Sequence, residues 1–92
     1  MDANKNEQAS KIIAAQISKI AANQPMDYST IGATKGMTKR EGEAESMARY
    51  FVTKMYGVKF SGSLYENWTQ EERDANEAVK SISAAAIAIT GK

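Results

Sequence analysis

The chain contains no cysteine and no histidine. Without cysteine there is no disulfide framework, and nothing marks a secreted scaffold. A thiol nucleophile and a zinc site of the usual Cys/His kind are excluded as well. Without histidine the commonest general acid and base near neutral pH is missing. Catalysis would have to rest on carboxylates, lysines, tyrosines or hydroxyls, so the expectation is a protein that is not an enzyme and carries no cofactor. No apolar run approaches the ~20 residues of a membrane span. The longest, Ala84 to Ile89, is far too short. The start, Met1 to Ser10, is polar and has no apolar h-region, so no signal peptide is expected there and a cytoplasmic setting is. Net charge is only +1, which gives no bulk pull on nucleic acid, so a basic site would have to be local.

What is present fits one globular domain over residues 1–92, with 42% apolar and 25% charged residues, too apolar for wholesale disorder. A domain of this size buries only somewhat more than ~60% of its unfolded surface, leaving little for a deep enclosed active site. The periodicity predicts a mainly α fold of three helices. Ile13, Ile17 and Ile20, flanked by Ala9 and Ala21 and broadened by Ile12, predict a helix over about Asn4 to Asn23, stopped by Pro25. Ala44, Met47, Ala48, Phe51, Val52 and Met55 predict a second over about Lys39 to Tyr56. Thr38 and Glu41 stand at capping-box spacing before it, and Gly57 is placed to end it. Gly42 inside this helix costs about 1 kcal/mol relative to alanine. Ala75, Val79, Ile82, Ala86 and Ile89 predict a third over about Gln70 to Thr90, with Thr69 and Glu72 as capping box, Trp68 as hydrophobic staple and Gly91 as terminator. Between the helices, Asp27 to Ile31 favours a short strand. Val58 to Tyr65 fits a small β-hairpin or short antiparallel sheet, and nearly as well an irregular loop pinning Phe60, Leu64 and Trp68 on the core.

The stretch most suggestive of a site is Ser29 to Arg40, STIGATKGMTKR. It joins two glycines, four hydroxyls (Ser29, Thr30, Thr34, Thr38) and three cations (Lys35, Lys39, Arg40), and runs into a helix N-terminus. Free N–H groups and the dipole at such an end attract anions, phosphate above all, and glycine lets backbone approach a ligand. Lys39 and Arg40 sit where the dipole disfavours cations, a liability that an outside anion would relieve. Residues 25–40 carry +2, three cations less Asp27, whereas residues 41–57 and 69–92 each carry −1. Against this, Lys, Gly and Thr are ordinary loop residues, and Glu41, Glu43 and Glu45 follow at once. A P-loop is not matched: Lys35 precedes Gly36, and the preceding strand is weak. The expected partner-binding residues are therefore Ser29, Thr30, Ile31, Thr34, Lys35, Lys39 and Arg40.

Three further groups carry less. Tyr50 and Tyr56 lie off the helical stripe. With Arg49 and Lys54 they could stack bases and hold phosphates of single-stranded nucleic acid, although such tyrosines more often pack on a neighbouring loop. Glu41 and Glu45 share a helix face, but no metal-binding motif accompanies them, and they read as solvated face. Connections of about 14 and 12 residues are too long for a helix-turn-helix. The all-round apolar stretch Ala84 to Ile89 calls for deep burial or for another chain.

In size, in its single Cys-free domain, in its lack of catalytic motifs and in its isolated basic stretch Ser29 to Arg40, the chain resembles the small accessory proteins of phages and mobile elements. Among these it resembles the anti-CRISPR proteins that inhibit type I-F surveillance complexes. The resemblance implies stoichiometric inhibition in the host cytoplasm: binding to a protein or ribonucleoprotein complex, with contact to RNA phosphates, that blocks nucleic-acid engagement. Two other readings stand beside it. One is a structural or self-assembling helical subunit, resting on Ala84 to Ile89. The other is an RNA or single-stranded nucleic-acid binding module.

Overall fold

A computed structural model describes residues 2–25, 37–60 and 65–91. Helix α1 spans Ala3–Ile17, α2 Lys39–Tyr56 and α3 Gln70–Thr90, with a 3-10 turn at Tyr65–Asn67. The mainly α architecture with three helices is the one the periodicity predicts.

The starts of α2 and α3 follow from local chemistry. Thr38 Oγ1 accepts from the Glu41 N–H at 3.3 Å, and Glu41 Oε1 accepts from the Thr38 N–H at 3.0 Å. Thr69 and Glu72 repeat the arrangement at 3.1 Å in both directions. Each box satisfies two otherwise orphaned backbone donors. Gly57 ends α2 in the left-handed region at φ 69°, where any other L-residue would be strained. Gly91 caps α3 with ordinary right-handed geometry.

Helix α1 departs from expectation at both ends. It begins earlier because Asp2 is its N-cap, with Oδ1 accepting from the N–H groups of Asn4 at 2.9 Å and Lys5 at 3.2 Å. It ends at Ile17, six residues short of Asn23, the predicted end. Beyond it the backbone tightens into i→i+3 bonds, Lys19 N–H to Gln16 at 3.4 Å and Ile20 N–H to Ile17 at 3.0 Å. Pro25 does not act as the stop. It lies in an antiparallel bridge with Thr38.

The helices run up, down and up. Tyr56, at the end of α2, meets Asn6 near the start of α1, and Arg40, at the start of α2, meets Ile20 just past the end of α1. Helix α3 is parallel to α1, since Ser10 meets Ile82 and Ala14 meets Thr90. Ala9, Ile13 and Ile17 of α1, Ala44, Ala48 and Val52 of α2, and Ala75, Val79, Ile82 and Ala86 of α3 fill the core. Seven of the thirteen buried apolar residues are alanine, so the helices approach closely and each contact buries little area. Gly42 belongs to the same close approach: it is buried on α2.

Two isoleucines expected in the core sit outside, as does Ala21 beyond the end of α1. Ile12 is 50% exposed and Ile89 44%. Both flank the buried stripe of their helix, where a 3.6-residue period leaves the edge undefined. In Ala84 to Ile89 only Ala86 is fully buried, while Ala84, Ala88 and Ile89 face outward. No strand occurs among the described residues, and Val58–Phe60 run as irregular chain into the core, with Val58 buried. Residues 61–64 of the candidate hairpin and the candidate strand Asp27 to Ile31 lie outside the described residues.

Candidate functional site

Of the predicted binding residues, Ser29, Thr30, Ile31, Thr34 and Lys35 lie outside the described residues. Lys39 and Arg40, in the first turn of α2, are described, and so is the base from which the segment springs. The Lys39 N–H donates to the Gln24 carbonyl at 2.8 Å, next to the Pro25–Thr38 bridge. Gln24–Pro25 and Thr38–Lys39 therefore stand side by side at one pole of the bundle, directly before the capping box of α2.

Arg40 has a role that its sequence position conceals. Its Nε donates to the Ile20 carbonyl at 2.6 Å, and an Nη lies 3.5 Å from the Ser18 carbonyl. A cation is unfavourable in the first turn of its own helix, but here it meets carbonyls just past the end of α1, where the dipole favours it. The fork binds α2 to the end of α1 and shapes the segment beyond Ile17. Its charge is thus used within the fold, whereas Lys39 is half-buried at the same helix start and has contacts of its own.

Two of the three carboxylates that follow are also engaged. Glu41 serves the capping box, and Glu45 pairs with Arg49 at 3.1 Å. Among the described residues no group of three or more metal-ligating side chains stands together. With Met37, Ser83, Ala84 and Ile87, the two glutamates line a shallow groove between the start of α2 and the last turns of α3, beside the clamped base.

The aromatic residues divide by register. Tyr56 is structural: its hydroxyl lies 2.6 Å from Asn6 Oδ1 and 3.2 Å from the Asp2 carbonyl, tying the end of α2 to the start of α1. Tyr56→Phe should lower stability by about 1 kcal/mol, measured as a shift in the urea midpoint. An unchanged midpoint would remove Tyr56 from the packing account. Trp68 does not form the usual staple, because Arg73 occupies the partner position on α3; the Trp68 ring meets Phe60 instead, with centroids 6.2 Å apart. Tyr50 is 60% exposed.

Compared with known proteins, the chain matches no family model, no curated protein and no solved structure. Its reading rests on its own residues.

Proposed function

We propose that the chain is a non-catalytic binding protein that presents Ser29 to Lys39 to another macromolecule. The observation that supports this reading is the clamped base: Pro25 paired with Thr38, and the Lys39 N–H on the Gln24 carbonyl. That base joins Gln24–Pro25 to the capped N-terminus of α2, and the sequence between them carries Lys35, two glycines and three further hydroxyls.

The resemblance to type I-F anti-CRISPR proteins sets the form of action to test first: stoichiometric occupation of a surveillance complex so that target DNA no longer engages. Equimolar protein added to a purified type I-F complex should abolish binding of labelled target duplex. The Lys35→Ala/Lys39→Ala double variant should leave target binding intact. Target binding unaffected by excess wild-type protein would reject this form of the function.

The self-assembling alternative has one observation in its favour, the outward-facing Ile12 and Ile89. Single exposed apolar side chains are ordinary on monomers, and the binding reading is preferred for that reason.

A further inference from the structure

The second half of α2 carries a different surface, away from the clamped segment. Gly57, in its left-handed conformation, turns the chain back along the helix. Val58 is buried by this turn, and Lys59 and Phe60 come to lie beside Arg49 and Thr53. An open groove results, lined by Ser46, Arg49, Tyr50, Thr53, Lys59 and Phe60. The Arg49 guanidinium stands 5.0 Å over the Phe60 ring, itself held by Trp68. The Lys54 ammonium stands 5.7 Å from the Tyr50 ring. Arg49 and Lys59 therefore line the groove with the solvent-facing Tyr50 ring, and Lys54 stands at that ring on its rim.

From this juxtaposition we propose that the groove between α2 and Lys59–Phe60 binds single-stranded nucleic acid, with a base stacked on Tyr50 and phosphates held by Arg49, Lys54 and Lys59. The match is one of chemistry. Every base offers a π-face, and an exposed tyrosine flanked by cations satisfies the base and its neighbouring phosphates together. Glu45, on Arg49 at 3.1 Å, offsets part of the charge. Lys54 and Lys59 are exposed and form no ion pair among the described residues. A duplex fits poorly, because its bases are already stacked. An acidic peptide would use the cations but leave the Tyr50 ring idle. The competing account is structural: Lys54 favours the C-terminal end of the α2 dipole, and its contact with Tyr50 serves the helix alone.

The proposal is independent of Ser29 to Lys39, and the test keeps the two apart. The probe is a fluorescein-labelled oligothymidylate of about 12 nucleotides, within the ~4–16 that single-stranded sites cover, read by anisotropy with the full chain at low salt. Saturable binding is expected, with log K falling against log salt at a slope of about −2 if three phosphates are neutralised at ~0.7 each. Tyr50→Ala should weaken binding roughly tenfold, the loss of one stack, while Tyr50→Phe retains it. Lys54→Ala/Lys59→Ala should shrink the slope by about 1.4. Lys59→Glu, outside any helix, should weaken binding without altering the circular dichroism. No binding at low salt would overturn the proposal, as would equal affinity of wild type and Tyr50→Ala. Competition by polyglutamate as strong as that by the oligonucleotide would reassign the groove to an acidic protein partner. Loss of the signal in Lys35→Ala/Lys39→Ala would move the oligonucleotide to the clamped segment and likewise overturn it.

Discussion

Replacing Ile82 by alanine is expected to remove about 2–5 kcal/mol of stability. Ile82 is 1% exposed in the middle of α3, and its backbone carbonyl lies 3.2 Å from the buried Ser10 hydroxyl of α1. The change deletes three carbon atoms, worth about 0.8 kcal/mol each in transfer, and leaves a cavity that neighbouring alanines cannot fill by changing rotamer. Stability scales as ~0.05–0.15 kcal/mol per residue, so the loss is a large share of what so short a chain can have. Urea unfolding followed by circular dichroism measures it. Ile12→Ala is the control: an isoleucine on α1 that is half exposed should cost under about 1 kcal/mol. Equal effects at the two positions would contradict the packing described for α1 and α3.

Arg40→Ala is expected to cost about 1–3 kcal/mol, because it strips the Ile20 and Ser18 carbonyls of a charged donor at a partly buried site. The melting temperature should fall by several degrees, at about 4–8 °C per kcal/mol for a domain of this size. Arg40→Lys should recover only part, since an ammonium lacks the planar fork that spans two carbonyls. Arg40 is then a residue of the fold, and a loss of partner binding in Arg40→Ala would report the displaced end of α1. An Arg40→Ala variant as stable as wild type would return Arg40 to the set of candidate contacts.

The contrast shows what the sequence could convey. Both capping boxes, the αL glycine at position 57 and the buried stripes of α2 and α3 were legible because each depends on residues within a turn or two of one another. The end of α1 was not. No glycine or asparagine marks Ser18, and the termination is shaped by Arg40, distant in sequence, whose contact requires the bundle to be assembled. Ile12 and Ile89 fit the stripe by spacing yet face outward, because periodicity finds the centre of a stripe and not its edge. Tyr50 and Tyr56 looked alike as off-stripe aromatics. Only the antiparallel packing of α2 on α1 puts Tyr56 against Asn6 and leaves Tyr50 outside. Likewise, Lys59 and Phe60 join Arg49 in one groove through the reversal at Gly57, a placement that spacing along the chain does not give. The basic segment was legible as composition, and the fold adds the clamp at its base.

We propose that the protein works by binding through Ser29 to Lys39. Affinity capture from the native host, with wild type and Lys35→Ala/Lys39→Ala side by side and Arg40 left intact, tests it most directly. The expected result is a partner retained by wild type and lost by the double variant, with both proteins folded at the temperature of capture. Nuclease treatment then separates an RNA-borne contact from a protein-borne one. The same partner captured equally by both would contradict the claim and make the clamped segment a bystander.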